Sequence, residues 1–121
     1  MSAEGRARLG QVGEELAAAY LVAQGYRLLA RNYRCRFGEL DLVALDQGEV
    51  VFVEVKTRRS QAFGTSAEAV SAQKQAKLLR LADRFLQERG LFDAACRFDV
   101  VAVDASVTPP RLELIRGAFT A

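Results

Sequence analysis

Two alternating apolar segments on either side of a turn sequence limit most strongly how this chain can fold. In the stretch from Phe37 to Thr57, FGELDLVALDQGEVVFVEVKT, both arms alternate with period two and DQGE lies between them. We therefore predict a β-hairpin. One face of the first arm carries Glu39, Asp41 and Val43, and the other carries Leu40, Leu42 and Ala44. In the second arm, Phe52, Glu54 and Lys56 share a face opposite Val51, Val53 and Val55.

The loop length determines which residues face each other across this hairpin. A two-residue loop (Gln47-Gly48) and a four-residue loop imply the same pairing, with Asp41 opposite Glu54 and Glu39 opposite Lys56. Directly opposed side chains have Cβ atoms about 4.5–5.5 Å apart. Two carboxylates that close repel each other unless positive charge lies between them, and a divalent cation held by oxygen ligands is the usual remedy.

Lys56 places a positive group near the same two carboxylates. It follows Glu54 by two residues, about 6.6 Å along a strand, so its ammonium can reach them. The alternative interpretation is a surface salt-bridge cluster in which Lys56 and Arg58 neutralise Glu54. We favour the metal site, because the carboxylates lie within nearly continuous apolar strands.

Composition narrows the chemistry that the chain can carry out. The 121 residues fit a single domain, 1–121, with a real core. The absence of His excludes Ser-His and Cys-His catalysis, and leaves carboxylates, Lys and Arg as reactive groups. A net charge of +2 is weak support for a nucleic-acid partner, although the basic residues are grouped around the hairpin. With no membrane-length apolar run and no signal-peptide core, we expect a cytoplasmic protein without a membrane partner.

The flanking segments predict two helices and three further strands. The helices run over Leu9–Gln24, ended by Gly25, and Ser71–Arg89, with Ser71 as N-cap and Gly90 as stop. The strands are Tyr26–Tyr33, Phe98–Val103 and Leu112–Ile115, and Arg58–Thr65 is predicted to be a loop. Apolar stripes are expected at Leu9, Val12, Gly13, Leu16 and Tyr20, and at Leu78, Ala82, Phe85 and Leu86. This order predicts an α/β fold with a mixed sheet flanked by helices.

The hairpin residues resemble a nuclease signature, an acidic residue followed on the next strand by Asp/Glu-x-Lys. Here these are Asp41 and Glu54-Val55-Lys56. This resembles the restriction-endonuclease-like (PD-(D/E)XK) nuclease superfamily. Five segments, Gly10–Leu21, Gly25–Arg34, Gly38–Ala44, Val51–Arg58 and Cys96–Val103, resemble the YraN-like bacterial family nearly end to end. That family is similar to Holliday-junction resolvases, so the resemblance implies a restriction-endonuclease-like fold.

The resemblance also implies a role for each site residue. Asp41 and Glu54 match metal-ligating carboxylates, and the Val55 carbonyl is a further ligand. Glu14 matches the helix glutamate of the resolvases, with the adjacent Glu15 as the alternative. Lys56 matches the lysine that orients or activates the attacking water. The metal would be Mg²⁺ or Mn²⁺. One departure is Leu40, where many superfamily members have Pro.

These roles predict a metal-dependent endonuclease that hydrolyses phosphodiester bonds in DNA, including branched or junction DNA. Candidates for contacts to DNA phosphates are Arg34, Arg36, Arg58, Gln73, Lys74 and Lys77. Symmetrical cleavage of a junction would need two active sites, and hence a homodimer. The main alternative is a non-catalytic nucleic-acid-binding protein that retains the nuclease fold. Two others are a hydrolase of small phosphate esters and a protein–protein module without a metal site.

Overall fold

The structure is a computed structural model that describes residues 3–58 and 70–119. Its elements are α1 (Ala3–Ala23), β1 (Arg27–Cys35), β2 (Gly38–Asp46), β3 (Glu49–Arg58), α2 (Ala72–Glu88), β4 (Cys96–Asp104) and β5 (Arg111–Phe119). The predicted α/β class and element order are confirmed. The last strand is longer than predicted, and the predicted loop lies, beyond Arg58, outside the described residues.

The five strands form one mixed sheet in chain order, β1-β2-β3-β4-β5. β3 and β4 are parallel, and every other pair is antiparallel. Parallel neighbours need a crossover connection, and α2 lies within it. In the described part of the chain, no helix combines the length and apolar character needed to cross a membrane.

Each face of the sheet packs against one helix, which gives three layers and two cores. On one face α1 packs against strand residues; this core contains Ala17, Ala18, Leu21, Leu42, Ala44, Val51, Val53, Val101 and Val103. On the other face α2 packs against the sheet; this core contains Leu40, Val43, Val50, Phe52, Leu78, Leu81, Phe85, Phe98 and Val100. The sheet therefore holds both helices, one above and one below its central strands.

α1 packs unusually close to the sheet through its small residues. A Cβ added at Gly13 would lie 1.8 Å from Thr57 Oγ1, so only glycine fits there. The prediction that Val12 belongs to the buried stripe is wrong, since its side chain is 45% exposed. Gly13, Ala17 and Leu21 face the sheet instead, because small side chains let the helix backbone approach β3. This approach brings Glu14, the next residue, toward the ends of β1 and β2.

α2 begins and ends as its sequence predicts. Ser71 is the N-cap, and its Oγ accepts a hydrogen bond from the Lys74 backbone N–H at 3.1 Å. Beyond the last turn, Gly90 adopts φ +67°, a conformation that glycine enters without strain. The buried face contains Leu81 in addition to the predicted Leu78, Ala82 and Phe85.

The hairpin has the predicted two-residue loop and the predicted register. Gln47 and Gly48 both have positive φ, 51° and 84°, as a tight hairpin turn requires. Backbone pairing runs from Asp46–Glu49 to Leu42–Val53 and stops one pair before Asp41 and Glu54. The predicted alternation breaks there. Leu40 belongs to the α2-side core, whereas Leu42 and Ala44 belong to the α1-side core.

A partly buried ion network ties the turn end of this hairpin to β4. Arg97 contacts Asp99, Asp46 and Glu49 with nitrogen–oxygen distances of 2.9–3.0 Å. Asp99 is 1% exposed and also accepts hydrogen bonds from the Tyr26 hydroxyl and the Gly117 N–H. Each buried carboxylate oxygen of Asp99 therefore has donors, which makes the burial of its charge tolerable.

Candidate metal centre

Three carboxylates meet where α1 passes the first residues of β2. Glu14 comes from α1, and Glu39 and Asp41 come from β2. Each residue has one carboxylate oxygen that lies within 4.8 Å of a carboxylate oxygen of each of the other two. All three residues are half-buried. The two β2 members are two residues apart, so they can project together from one strand. We refer to Glu14, Glu39 and Asp41 as the acidic cluster.

Asp41 is fixed by the backbone of the neighbouring strand. Its Oδ2 accepts a hydrogen bond from the Val55 N–H at 2.8 Å. This carboxylate therefore occupies the place of a backbone acceptor just beyond the last β2–β3 pair, which explains why the alternation of β2 breaks there. The aspartate is held against β3 and cannot simply rotate into solvent without leaving that N–H unpaired.

The surroundings of Asp41 oppose its ionisation. Burial, and then the negative charge of Glu54, raise its pKa from 3.8 to about 7, with Glu14 and Glu39 adding to the effect. The Val55 N–H acts in the opposite direction. Burial and the charge of Glu39 also raise the pKa of Glu14, while Arg31 and Arg34 lower it. Such mutual repulsion is relieved by a cation among the carboxylates.

Glu54 lies next to this cluster but has lysine partners of its own. It is 7% exposed and projects from β3 toward the α2 side of the sheet. Its Oε1 is 3.3 Å from Lys74 Nζ and 3.7 Å from Lys56 Nζ. The predicted proximity of Lys56 to Glu54 is thus present in the structure. Glu54 does not belong to the acidic cluster, although its negative charge raises the pKa of Asp41.

Glu39 is a site residue that sequence reasoning placed only opposite Lys56. In the structure it joins the acidic cluster, and its Oε2 also contacts Arg34 Nε at 3.2 Å. The signal that could have identified it was its spacing, because Glu39 and Asp41 fall on one face of an alternating strand. Only the tertiary position of Glu14 shows that this face meets α1.

Asn32 is a second residue beside the cluster, and no sequence pattern singles it out. It lies in β1 with φ +51°, between the paired residues Arg31 and Tyr33. We assign its amide so that the nitrogen faces the carboxylates, since the opposite orientation sets oxygen against oxygen. The amide then donates to Glu14 Oε1 and Glu39 Oε1, both at 2.7 Å. Asn32 thus bridges the α1 and β2 members of the acidic cluster.

Among the predicted phosphate-contacting residues, Arg34 lies beside Glu39 of the cluster and Lys74 lies beside Glu54. Arg34 and Arg36 lie at the end of β1 and in the turn after it, and Arg58 lies at the end of β3. Gln73, Lys74 and Lys77 lie in the first two turns of α2. Lys77 crosses over Gly38, where an added Cβ would come 2.6 Å from Lys77 Cε. The N-terminal half of α2 therefore lies over the start of β2.

The donor set fits a hard divalent cation. The cluster offers carboxylate oxygens, with the Asn32 amide beside them and Glu54 next to it, and it contains neither thiolate nor imidazole. Oxygen donors of this kind suit Mg²⁺ or Mn²⁺ rather than zinc or copper. The half-buried position and the raised pKa of Asp41 mean that a cation would relieve charge repulsion there.

Sequence comparisons with known proteins identify relatives of this chain in one protein family. A model for "Uncharacterised protein family UPF0102" matches residues 13–103. A UPF0102 protein of Moorella thermoacetica is 53% identical over 116 residues, covering 94% of this chain and 97% of the relative. One from Symbiobacterium thermophilum is 51% identical over 115 residues, covering 94% and 98%. One from Frankia alni is 48% identical over 120 residues, covering 98% and 100%.

Proposed function

The chain belongs to the uncharacterised protein family UPF0102, the YraN-like family that its segments resemble, and on that premise we propose that it is a metal-dependent endonuclease acting on DNA. The observation that carries the proposal is the acidic cluster beside Glu54 and Lys56. Carboxylates held this close, half-buried and near a lysine, are suited to metal-dependent hydrolysis of phosphate esters, and this supports the proposal.

Asp41, Glu54 and Glu14 would hold the cation, with the Val55 carbonyl as a further donor and Glu39 as the neighbouring carboxylate. When bound, Mg²⁺ or Mn²⁺ would polarise the scissile phosphate and lower the pKa of an attacking water. Asn32 holds Glu14 and Glu39 side by side through its amide N–H groups. Rotation of the same amide by half a turn would present its oxygen to the cation, so this residue can serve both states.

Lys56 would orient the attacking water and stabilise the negative charge that develops on the phosphate. In the structure Lys56 and Lys74 share the carboxylate of Glu54, which keeps three charged groups in place at the edge of the cluster. Lys74 also lies in α2, so it links Glu54 to the helix that carries the basic residues Lys77 and Arg80. The two ammonium groups beside Glu54 would attract an approaching phosphodiester, and this supports the proposed role of Lys56.

DNA would be held mainly through its phosphates. Arg34, Arg36, Arg58, Gln73 and Lys77 would supply these contacts, which give affinity without reading sequence. The 3.2 Å contact of Arg34 with Glu39 supports this for one of them. We therefore expect recognition of DNA structure, such as a branch or junction, rather than of base sequence. Cleavage of both arms of a junction would require two copies of the chain, since the described residues of each copy form one such cluster.

The decisive experiment is cleavage of labelled junction, single-stranded and duplex DNA by the purified protein in Mg²⁺, Mn²⁺ or EDTA. We expect cleavage in either metal, loss in EDTA, and at least 100-fold slower cleavage by Asp41→Asn and Lys56→Ala. Glu14→Gln should behave like Asp41→Asn. Its matched control is Glu15→Gln, because Glu15 is the adjacent, exposed carboxylate on α1 outside the cluster.

Two results would contradict the nuclease proposal. Full activity of purified Asp41→Asn would show that cleavage comes from a contaminant or from another site. DNA binding that is independent of metal and never accompanied by cleavage would instead identify a non-catalytic nucleic-acid-binding protein with a nuclease fold.

A further inference from the structure

A pocket next to the acidic cluster has the chemistry of a nucleotide-binding site. We propose that it holds one unpaired nucleotide of the DNA, whose base stacks on Phe37 while α2 contacts its phosphate. The proposal rests on the proposed function for its nucleic-acid partner, and it adds a substrate class, DNA that exposes a single-stranded nucleotide beside the cleaved bond. It also assigns a role to Phe37 and Arg80, two residues that have no role in the proposed nuclease reaction.

The pocket lies between the turn after β1 and the outer face of α2. It measures about 370 Å³ and is lined by Phe37, Gln73, Ala76, Lys77 and Arg80. The four helical residues are spaced i, i+3, i+4 and i+7, so they form one continuous face of α2. A volume of this size lies within the range of small-ligand pockets.

The lining groups match the base and the phosphate of a nucleotide. The Arg36 guanidinium lies over one face of the Phe37 ring, 5.0 Å from its centroid, so a base would stack on the ring from the side away from Arg36. Lys77 and Arg80 offer positive charge to a phosphate. Gln73 carries an amide that can donate to and accept from a base edge. The lining residues described in the structure include no carboxylate that would repel a phosphate.

The pocket adjoins the proposed site of hydrolysis along two elements. Phe37 precedes Glu39 of the acidic cluster by two residues, about 7 Å along an extended chain. On α2, Lys77 lies one turn beyond Lys74, whose Nζ is 3.3 Å from Glu54. Lys77 also crosses Gly38, the residue between Phe37 and Glu39. A strand that places a phosphate at the acidic cluster would therefore place a neighbouring nucleotide at Phe37.

An intact duplex cannot use this pocket, because each of its bases is already stacked and paired. A ring set between a turn and a helix reaches only a base that is extruded or unpaired. The pocket thus favours single strands, flaps and branch points over continuous duplex. Phosphate contacts alone would not discriminate in this way.

The test uses binding rather than cleavage, so that it is independent of catalysis. A 2-aminopurine-labelled single strand and the matching duplex are titrated with wild-type protein and with Phe37→Leu. Leucine keeps the apolar packing of residue 37 against the α2-side core but removes the aromatic face. The chain contains no Trp, which simplifies the fluorescence measurement. Phe92→Leu is the matched control, since Phe92 is 72% exposed and lies outside the pocket.

We expect Phe37→Leu to weaken single-strand binding at least about fivefold and to abolish the change in 2-aminopurine fluorescence, with duplex affinity changed less than about twofold. Phe92→Leu should match wild type on both. Equal affinities of Phe37→Leu and wild type for the single strand, or equal losses on both DNAs, would overturn the pocket assignment. Binding that follows the expected pattern without any cleavage would overturn the nuclease proposal alone. Failure to bind either DNA would overturn both.

Discussion

Asp41 carries the most consequential chemistry of any single residue in the structure. Its carboxylate completes the backbone hydrogen bonding of β3 and is also the most perturbed acid of the cluster. The two properties oppose each other in the metal-free protein, because the hydrogen bond keeps the group in an environment that disfavours its charge. This conflict gives a stability signature that can be measured without substrate.

Asp41→Asn should stabilise the metal-free protein at neutral and higher pH. The folded pKa of Asp41, about 7, lies above its ordinary value of 3.8, so the folded state holds a proton that the unfolded state has lost. This group therefore favours folding most at low pH, and the benefit is lost as pH rises through that window. Asparagine does not titrate, and its side-chain oxygen can still accept from Val55.

Urea denaturation in EDTA from pH 4 to 8 would measure the difference between the two proteins. The stability advantage of Asp41→Asn should increase between pH 4 and 7 and then level off. Each unit of pKa difference corresponds to about 1.4 kcal/mol. A difference that is constant with pH would show that Asp41 titrates normally in the folded protein.

Asn32 supports a second prediction, which separates its amide from its backbone conformation. Asn32→Gly retains the favourable left-handed φ but removes the donors to Glu14 and Glu39. We expect its affinity for Mg²⁺ to fall about 10- to 100-fold, the usual effect of removing an orienting partner. Asn32→Ala should lose the same affinity and, in addition, about 1 kcal/mol of stability from backbone strain.

Calorimetric titration with Mg²⁺ and chemical denaturation would measure these two effects separately. Wild-type affinity in Asn32→Gly would mean that Glu14 and Glu39 are held in place without the amide.

The sequence predicted part of this site and missed part, for a physical reason. Asp41, Glu54 and Lys56 are recognisable because strand periodicity and turn length determine their relative positions. Glu14 could be placed only by family resemblance, since it belongs to a helix whose docking depends on tertiary packing. Asn32 was missed because a left-handed residue within a strand leaves no periodic signal.

Among the elements, α1 shows how packing determines where a functional group lies. Its stripe was misassigned at Val12 because the apolar pattern favoured the larger Val12 over Ala17 and Ala18, which are buried. Gly13 and these small residues allow the helix to approach Thr57, and this approach sets the distance from Glu14 to β2. The position of the Glu14 carboxylate thus depends on the absence of a methyl group one residue away.

Gly13→Ala should therefore impair both stability and the proposed metal site. Its Cβ would lie 1.8 Å from Thr57 Oγ1, so the helix must move outward. We expect a loss of about 1–3 kcal/mol in unfolding free energy, together with weaker Mg²⁺ binding. Combining it with Thr57→Ala should recover part of both losses, because the two side chains compete for the same space.

Gly10→Ala is the matched control for this experiment. Gly10 lies in the same helix, and an added Cβ there meets no atom within 4 Å. Alanine should slightly stabilise α1, by up to about 1 kcal/mol, and leave metal binding unchanged. If both variants behave alike, the contact between Gly13 and Thr57 does not position the helix.

At the scale of the whole molecule, the sequence predicted the architecture but not the ion pairs between distant parts of the chain. The element order, the hairpin register and the mixed sheet followed from periodicity and turn chemistry. The network around Arg97 did not, since its partners Asp46, Glu49 and Asp99 converge only after β3 and β4 have paired. Local patterns specify elements, whereas charges that are distant in sequence meet only in the assembled sheet.

The acidic cluster joins α1 to the sheet, and this has a consequence for motion. A cation held by Glu14 together with Asp41 would have to be released before α1 could separate from β2 and β3. Transient opening of the helix should then become rarer in proportion to the occupancy of the site.

Amide hydrogen exchange would show this as slower exchange in α1 on adding Mg²⁺. At a free concentration 100 times the dissociation constant, openings that release the cation should become about 100-fold rarer. Exchange in Asp41→Asn should not respond to the metal. A response confined to β2 and β3 would mean that Glu14 takes no part in binding. The rate of amide exchange in α1 would in this way report how fully the cation site is occupied, although this helix supplies only one ligand to that site.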